Sequence, residues 1–405
     1  MSYSLYFHIP FCSHRCAYCD FNTYAGQERL IPAYVEALCN EVRRVAASQP
    51  GRLPVHTIFF GGGTPSLLSP AQFEQILGTA RDLFDLSDLS DLETSLEANP
   101  GTVTLDSLRG LRRAGFNRIS FGVQSFHPGE LRQLERIHDP FDVLNAVRWA
   151  HQAGFENLNL DLIYGLPEQT LARWQANVNH AVELAPQHLS LYALTIEQGT
   201  PYGRWTARGL LPLPDPDLAA DMYEWASEYL EGQGYGQYEI SNWARPGYQC
   251  RHNLQYWRNQ PYLGFGAGAH GYANGMRISD VLRIKTYIDR LNPDPPSPNY
   301  LIPDYLFPLS PATVTQTRLT PFVEMQETMM LGLRLTQEGI SADAFHQRFG
   351  QDLMAVFGKE INELVGLGLL EQTPSPTGRG AGVRVRLTRR GRLLGNQVFM
   401  RFVGD

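Results

Sequence analysis

Long apolar runs and an excess of positive charge are both missing from this 405-residue sequence. No uninterrupted stretch reaches the roughly 20 apolar residues that span a bilayer, so no integral membrane segment is expected. The N-terminus has no basic segment followed by an apolar one, so no signal peptide is expected. With 34 Lys and Arg residues against 41 Asp and Glu, the net charge of -7 argues against a nucleic-acid binder. These absences predict a cytoplasmic protein.

Cysteine is also scarce, since the chain has only five. Cys39 and Cys250 stand alone, which is unlike the disulfide framework of a short secreted chain. A structural zinc site commonly uses four ligands in two C-x2-C pairs, and no second pair exists. The other three form C-x3-C-x2-C at Cys12, Cys16 and Cys19, and three thiolates on one loop suit three irons of a [4Fe-4S] cluster. The fourth iron would be open, which favours chemistry at that iron over electron transfer.

The first 235 residues alternate between β-rich segments and amphipathic segments of helical period. The predicted strands are Ser4–Ile9, Val55–Phe60, Glu93–Ala98, Arg118–Val123, Asn157–Ile163 and His188–Leu194. The predicted helices are Ile31–Ala47, Pro70–Leu83, Leu105–Ala114, Pro140–Ala153, Leu171–Leu184 and Asp215–Glu231. This alternation predicts an α/β fold with a partial (β/α)6 barrel of the TIM-like kind.

The rest of the chain differs from this barrel in composition and period. Residues 292–321 are proline-rich and are predicted to form a linker. Beyond it, a mostly α, winged-helix-like domain is predicted from helical segments and a strand at Phe322–Leu335, Ser341–Phe349, Leu353–Leu367 and Val383–Leu387. The predicted domains are a barrel, a segment packing on the barrel, the linker and a C-terminal domain, over 1–235, 236–291, 292–321 and 322–405.

Polar residues fall at the ends of the predicted strands. The cysteine loop follows the first strand, and Gly61-Gly62-Gly63-Thr64-Pro65 follows the second. Glu97 and Gln124 lie at the ends of the third and fourth strands, and Asp161 lies on the fifth. In a parallel barrel these ends share one face, where active sites are built. The sequence therefore predicts a single site on that face.

Each of these residues also has a purely structural interpretation. Three glycines let a backbone approach a ligand closely, yet they equally suit a tight turn between strand and helix. Glu97 and Asp161 could accept from a cationic amine or a ribose hydroxyl, but a single carboxylate is more often solvated or capping. Gln124 offers both donor and acceptor to an adenosyl or carboxylate group, and Arg136 could pair with a carboxylate or stay at the surface.

Taken together, the motifs resemble the radical S-adenosylmethionine (SAM) superfamily. The cysteine spacing at residues 12–19 resembles its cluster signature, and GGGTP at residues 61–65 resembles its SAM-binding motif. Within it, the chain resembles the oxygen-independent coproporphyrinogen III oxidase family, and most of all its HemW-type haem chaperones. The runs that carry this resemblance are YFHIPFC, FFGGGTPS, EANPG, RISFGVQS, ERIHD, NLDLIYGLP, LYALTIEQGT and the C-terminal LTRRGRLLGNQVFMRF.

The resemblance implies a [4Fe-4S] cluster ligated by Cys12, Cys16 and Cys19, with SAM bound at the open iron and cleaved by an electron from the cluster. The residues that it places around SAM are Tyr6, Tyr18, Gly62, Gly63, Thr64, Glu97, Gln124, Arg136 and Asp161. It also implies a haem site, because HNLQYW matches the HNxxYW motif of the chaperones. The residues of that motif are His252, Asn253, Tyr256 and Trp257.

A haem site at this motif agrees with the chemistry of its residues. A neutral imidazole is a common axial haem ligand, and aromatic rings can stack on a porphyrin. Arg251 or Arg258 could meet the haem propionates. Cys250 and His270 are alternative ligands, and His252 could instead be a packed or capping histidine.

Three functions remain open at this point. The first is a haem chaperone that binds haem, the cluster and SAM and delivers haem to acceptors such as respiratory enzymes. For this function the resemblance implies a homodimer, and contact with the inner membrane could come through a membrane-bound acceptor. The second is coproporphyrinogen III oxidation or another radical reaction on a tetrapyrrole. Oxidases carry a further cysteine where this chain has Phe21, and an N-terminal arm, so this activity is not expected. The third is a winged-helix regulator that senses through the cluster.

Overall fold

The computed structural model describes residues 2–86, 91–292, 306–374 and 383–403. It forms two compact units, which we call the barrel unit and the C-terminal unit. The barrel unit comprises Met1–Tyr229 and Pro261–Thr317, and the C-terminal unit comprises Leu230–Gln260 and Arg318–Asp405.

Strands and helices are numbered in chain order. The strands are β1 (Tyr3–Ile9), β2 (Phe11–Cys12), β3 (Tyr24–Ala25), β4 (Val55–Gly62), β5 (Glu93–Ala98), β6 (Arg118–Gln124), β7 (Asn157–Tyr164), β8 (His188–Ala193), β9 (Gly236–Glu239), β10 (Asn242–Ala244), β11 (Tyr262–Phe265), β12 (His270–Ala273), β13 (Met276–Asp280), β14 (Thr313–Arg318), β15 (Ile340–Ser341), β16 (Leu370–Pro374) and β17 (Val383–Leu387). The helices are α1 (Ile31–Ala47), α2 (Pro70–Leu83), α3 (Leu105–Ala114), α4 (Pro128–Gln133), α5 (Pro140–Gln152), α6 (Leu171–Glu183), α7 (Pro201–Ala207), α8 (Pro216–Gly232), α9 (Arg251–Trp257), α10 (Ile284–Leu291), α11 (Pro321–Gly332), α12 (Ala342–Phe349), α13 (Leu353–Gly366), α14 (Arg389–Leu393) and α15 (Gly395–Phe399).

The barrel unit is built on a mixed sheet. Among its described strands the order is β14-β13-β12-β11-β1-β4-β5-β6-β7-β8. Neighbours from β1 through β8 in this order pair in parallel, and each corresponds to a predicted strand. The predicted α/β fold with a partial parallel barrel is confirmed.

Local sequence explains where the barrel helices begin. The side chains of Ser69, Thr104 and Asp139 each accept a hydrogen bond from the backbone N–H three residues later. Their own backbone N–H groups donate to the side chain of that later residue, which satisfies free N–H groups at the starts of α2, α3 and α5. At the end of α3, Gly115 has a φ of 113°, a left-handed conformation that glycine adopts without a steric penalty.

One face of the parallel sheet is unusually polar. Alternate residues of the strands carry hydroxyl, amide or charged side chains, and they are Ser4, Tyr6, His8, Thr57, Ser95, Glu97, Arg118, Ser120, Asn159, Asp161, His188 and Ser190. The opposite face carries buried apolar residues such as Phe7, Phe60, Ile119, Leu160 and Leu191. Since strand side chains alternate with period two, the apolar face packs on the helices and the polar face is left for the site.

The unit boundaries differ from the predicted domains. Residues 261–291, predicted to form one segment with 236–260, belong to the barrel unit, because β11 pairs in parallel with β1 and continues into β12 and β13. The buried carboxylate of Glu41 on α1 reinforces this, since it accepts from the Gly266 amide at 2.9 Å and the Tyr287 hydroxyl at 2.6 Å. The predicted linker lies partly outside the described residues, and its described part includes β14.

The C-terminal unit contains the predicted winged-helix-like domain. Its elements follow in the order α11, β15, α12, α13, β16 and β17, and the strands form an antiparallel sheet in the order β15-β17-β16. Met329, Phe345, Leu353 and Ile361 are buried in its core. Within the described ranges, every helix of the chain falls short of the length and apolar character needed to cross a membrane.

Candidate functional site

The three cysteines of the predicted cluster motif lie on one loop after β1. Its two ends are held together, because β2 pairs with β3 and brings Cys12 opposite Ala25. A hydrogen bond of 3.1 Å from the Cys19 amide to the Cys16 carbonyl folds the middle of the loop. Cys12 is buried, whereas Cys16 and Cys19 are partly exposed. The loop therefore carries all three thiols, one of them buried and two of them partly exposed.

The glycine motif after β4 lies directly against this loop. The Gly63 amide donates to the Ile9 carbonyl at 2.9 Å, and the Thr64 amide donates to the Phe11 carbonyl at 2.7 Å. A Cβ on Gly63 would lie 2.6 Å from that Phe11 oxygen and 3.1 Å from the Cys12 sulfur. Only glycine fits here, so its role in the structure is to let β4 approach the cysteine loop.

Arg136 reaches the loop from the turn after α4. Its guanidinium donates to the Cys16 sulfur at 3.4 Å and to the Gly122 carbonyl at 2.6 Å. The preceding residue, Glu135, has its carboxylate 3.5 Å from the His14 ring nitrogen. The turn thus places a positive charge beside one predicted cluster ligand and a negative charge beside the loop's histidine.

Tyr18 lies in the same surroundings. Its ring is 6.4 Å from that of the buried Tyr202, whose backbone N–H donates to the Ala17 carbonyl. Burial raises the pKa of the Tyr18 phenol above its ordinary value, while the positive charge of Arg136 opposes the shift. The phenol is therefore neutral at physiological pH, and its hydrogen bond with the Cys16 side chain adds to the raised pKa.

The surroundings of the thiols fit a cubane cluster. In the described part of the chain, no three His, Cys, Asp or Glu side chains converge on one metal ion. A cubane makes a different demand, because each of the three thiolates binds its own iron. Hydrogen bonds to sulfur tune such clusters. Donors are present here, since the Thr64 hydroxyl lies 3.6 Å from the Cys12 sulfur and Arg136 contacts Cys16.

Two carboxyl groups lie on the polar face next to the glycine motif. Glu97 accepts a hydrogen bond of 3.1 Å from the Gly62 amide. Burial, reinforced by the negative charge of Asp161, raises the pKa of Glu97 to about 7. Burial also raises the pKa of Asp161, which accepts from the Ser120 hydroxyl at 2.9 Å and the Asn159 amide at 2.8 Å. The pair offers a buried site for a cationic or hydroxyl-bearing ligand.

Gln124 combines two features that are typical of ligand sites. Its φ is 67°, which is uncommon for a residue with a side chain. Its side-chain oxygen is buried, and no donor for it exists among the described residues. A Cβ on Gly122 would lie 3.0 Å from the Gln124 amide nitrogen, so glycine there makes room for this side chain. These features fit an acceptor aimed at a polar ligand.

Sequence reasoning missed the residues that anchor the cysteine loop. Asn22 donates from its side-chain amide to the carbonyls of Ala267 and Leu282, both at 2.9 Å. His8 bonds to the Asn22 carbonyl at 3.0 Å and to the Tyr6 hydroxyl at 3.0 Å. Gly268 was the sequence feature that could have indicated this close contact. A Cβ at that position would lie 2.4 Å from the Asn22 amide nitrogen.

Arg118 was missed as well. This arginine is only 2% exposed, and its charge acts on Glu97, Asp161 and His188. Arg118 begins a predicted buried strand. A charged residue at such a position could have indicated a functional or paired group, because charged side chains are rarely buried alone. Burial, followed by the charge of Arg118, lowers the pKa of His188 well below its ordinary range, so this imidazole is neutral.

The structure thus brings most of the predicted SAM residues to one region of the barrel unit. Direct contacts join Gly62 with Glu97, Gly63 and Thr64 with the cysteine loop, and Arg136 with Cys16. Tyr6 contacts the loop through His8, and Asp161 is coupled electrostatically to Glu97. Their individual roles toward a ligand stay predictions.

The predicted haem motif lies in the C-terminal unit, on α9. His252 is only 1% exposed, and its Nε2 lies 2.8 Å from the Tyr256 hydroxyl one helical turn later. The two rings pack edge to face, with centroids 4.9 Å apart. Iron could bind Nε2 of His252 only after this hydrogen bond is broken. Cys250, the alternative ligand, is fully buried just before the helix.

The other residues of the motif have different surroundings. Asn253 is partly exposed, and the Trp257 ring lies under the guanidinium of Arg334 at 4.3 Å. Arg258, which was named with Arg251 as a candidate to meet a propionate, forms a two-pronged ion pair with Glu338, with a shortest distance of 2.8 Å. His270 belongs to the barrel unit, so the two candidate histidine ligands lie in separate units.

Comparison with known proteins agrees with this architecture. A family model of the radical SAM superfamily matches residues 6–181, and one of the HemN C-terminal domain matches residues 319–394. Coproporphyrinogen III oxidase (HemN) from Escherichia coli has a similar structure, with a TM-score of 0.80, 25% identity, and coverage of 99% of this chain and 90% of that one. The fold and the site define a radical SAM protein, a class that implies a [4Fe-4S] cluster and SAM.

Curated relatives narrow the class further. Heme chaperone HemW of Bacillus subtilis (strain 168) is 40% identical over 403 residues, which cover 99% of each chain. Heme chaperone HemW of Escherichia coli (strain K12) is 46% identical over 270 residues, or 66% of this chain and 69% of the relative. The chain belongs to the HemW family of haem chaperones.

Proposed function

We propose that this protein is a haem chaperone that binds a [4Fe-4S] cluster, SAM and haem and delivers haem to acceptor proteins such as respiratory enzymes. The observation that supports this proposal most strongly is the 40% identity to a heme chaperone HemW over 99% of both chains. A homodimer, a cytoplasmic location and membrane contact only through an acceptor are parts of the same proposal.

The proposal gives a role to each candidate side chain of the site in the barrel unit. Cys12, Cys16 and Cys19 hold three irons, and Arg136 and Thr64 donate to two of the sulfurs. The cluster with bound SAM supplies one-electron chemistry. Glu97 and Asp161 accept from the amine or hydroxyls of SAM, and Gln124 accepts from a polar hydrogen through its free side-chain oxygen. The polar face thereby orients SAM.

The alternative function is oxidation of coproporphyrinogen III, favoured by the structural similarity to HemN. The residue that argues against it is Phe21, whose side chain is 64% exposed where the oxidases carry a further cysteine. Assay of the reduced, cluster-loaded protein with coproporphyrinogen III and SAM decides between the two. Formation of the decarboxylated product would replace the chaperone proposal with the oxidase.

Haem binding by His252 is tested by anaerobic titration with haemin, followed by absorbance. We expect His252→Ala to weaken binding by roughly 10-fold or more, because removing one iron–imidazole bond leaves the metal without that ligand. His346→Ala is the matched control, since His346 is an exposed histidine of the same unit. Equal affinity of both variants and the wild type would move the ligand elsewhere, and Cys250→Ala would be measured next.

Tyr256→Phe is expected to have the opposite effect. The Tyr256 hydroxyl occupies Nε2 of His252 at 2.8 Å, so this hydrogen bond must break before iron can bind there. Removing the hydroxyl abolishes a cost of about 1 kcal/mol, which corresponds to about fivefold tighter haemin binding. The same titration measures it. Weaker binding by this variant would contradict ligation through Nε2 of His252.

SAM binding is expected to depend on pH through Glu97. The carboxylate must be ionised to attract a cationic ligand, and the pKa of Glu97 in the folded protein is about 7. Since the ionised fraction falls as pH drops below that value, affinity should be about 10-fold weaker at pH 6 than at pH 8. Equilibrium dialysis of the cluster-loaded protein measures this.

Two variants of this site give the control. Glu97→Gln should bind SAM weakly with little pH dependence. Asp161→Asn should shift the midpoint below pH 7, because the negative charge of Asp161 is one cause of the raised pKa of Glu97. A wild-type profile that is flat between pH 6 and 8 would remove Glu97 from the binding step.

A further inference from the structure

Arg334 holds an unusual position beside the haem motif of the C-terminal unit. It lies just beyond the end of α11, and its backbone N–H donates to the Leu331 carbonyl at 3.1 Å. Its guanidinium carbon lies 4.3 Å from the centre of the Trp257 ring and 5.7 Å from that of Phe399. The two rings therefore hold the charged group in place without using its N–H donors.

The ion pair available to Arg334 is loose. The nearest carboxylate oxygen is Oε2 of Glu239, at 3.9 Å, which is beyond hydrogen-bond distance. The other oxygen of Glu239 already accepts from the side chain of Asn242 and the amide of Ser241. By contrast, Arg258 pairs with Glu338 through two nitrogens. Arg334 thus keeps most of its hydrogen-bonding capacity.

Unused donors lie together at this position. The Nε of Arg334 and the Nε1 of Trp257 are both buried, and neither has an acceptor in the part of the chain that the structure describes. A buried donor without an acceptor costs about 1–3 kcal/mol, so such groups usually have a partner. A partner must accept hydrogen bonds, and the positive charge of Arg334 favours an anionic acceptor such as a carboxylate.

We propose that Arg334 and Trp257 bind a propionate carboxylate of haem. The inference rests on the proposed function, and it names Arg334, in place of Arg251 or Arg258, as the arginine that meets this group. Trp257 belongs to the HNxxYW motif and lies five residues after His252, so the same short segment would contact both the metal and the edge of the porphyrin. The Arg334 side chain is 25% exposed, which leaves it accessible to a ligand.

The test compares haemin with its dimethyl ester, in which both propionates are neutral. The full-length protein, Arg334→Gln and Arg258→Gln are titrated with each compound anaerobically. We expect the wild type to bind the ester roughly 10- to 100-fold more weakly than haemin, as loss of charge-assisted hydrogen bonds predicts. Arg334→Gln should bind haemin as weakly as the wild type binds the ester, with no further loss on esterification. Arg258→Gln should behave like the wild type.

Each other outcome has a definite meaning. Equal binding of haemin and ester by the wild type would overturn the inference without any mutation, so a folding defect of Arg334→Gln cannot obscure the result. Discrimination that persists in Arg334→Gln would place the carboxylate elsewhere and overturn it as well. A wild type that binds neither compound would overturn the haem chaperone itself. Trp257→Phe keeps an aromatic ring at this position but removes the Nε1–H, and it should lose part of the discrimination.

Discussion

Replacing Gly63 with alanine is expected to remove most of the iron–sulfur cluster while leaving the barrel folded. The added methyl group would lie 2.6 Å from the Phe11 carbonyl oxygen, 2.8 Å from the Ile9 carbonyl oxygen and 3.1 Å from the Cys12 sulfur. Two of these atoms belong to the backbone, which cannot rotate away. The strand end and the cysteine loop must therefore separate, and the three thiols lose their common position.

Iron and sulfide content per chain after anaerobic reconstitution measures this effect. We expect the variant to retain a small fraction of the wild-type iron, with near-wild-type helix content by circular dichroism. Gly78→Ala is the matched control, because Gly78 lies within α2 and a Cβ there meets nothing within 4 Å. That control should keep its cluster and gain up to about 1 kcal/mol in stability. Full iron content in Gly63→Ala would show that the loop position does not govern the cluster.

Arg118→Met is expected to destabilise the folded state by about 1–3 kcal/mol at pH 8, because a buried side chain loses its hydrogen-bonding groups and its charge. Arg118 is 2% exposed, and its charge offsets those of Glu97 and Asp161 on the polar face. Methionine has a similar length but no charge, so the two carboxylates would keep their hydrogen bonds but lose this positive charge. Urea unfolding gives the free energy of unfolding for both proteins.

The size of this effect should depend on pH in a definite direction. The pKa of Glu97 is raised by folding to about 7, so the folded state binds more protons than the unfolded state below that pH. Stability therefore falls as pH rises from the ordinary pKa of a glutamate, 4.5, to about 7. Without Arg118 the pKa values of both carboxyl groups rise further, and the loss continues to higher pH. The difference between wild type and variant should be larger at pH 8 than at pH 5.5.

Arg109→Met is the control for this experiment. Arg109 is an arginine of the same unit whose side chain is 51% exposed and lies 3.8 Å from the Asp106 carboxylate. Exposed ion pairs of this kind contribute little, so the change should stay within about 0.5 kcal/mol at both pH values. A similar loss for Arg118→Met and Arg109→Met, or a loss that does not vary with pH, would contradict the role given to Arg118.

Much of the barrel unit was predictable because its signals are local. Alternation between periods of two and 3.6 residues located six parallel strands, β1 and β4 to β8, and the long helices of the barrel unit to within about two residues, but it did not locate β11. The cysteine spacing placed three thiols on one loop, since residues so close in the chain cannot be far apart in space. The rule that parallel strands end on one face then brought the glycine motif, Glu97, Gln124 and Asp161 into one region.

The domain boundary was less accessible to sequence. The sequence predicts one segment over residues 236–291, yet the boundary between the two units falls between Gln260 and Pro261. The division follows from β11 pairing with β1, more than 250 positions earlier in the chain. No local pattern records such a pairing, because it depends on which strand edge is free once the other strands have assembled.

By itself, the sequence predicted the fold class and the positions of the main elements, and it named the candidate side chains of the site, whose roles stay predictions. The tertiary structure alone decided which partner each of them has. Arg136 contacts Cys16, Asn22 contacts Ala267, and Arg334 covers Trp257, and each pair is distant in sequence. The physical reason is that periodicity and capping act between neighbours along the chain, whereas contacts, burial and shifted pKa values arise only when folding brings distant residues together.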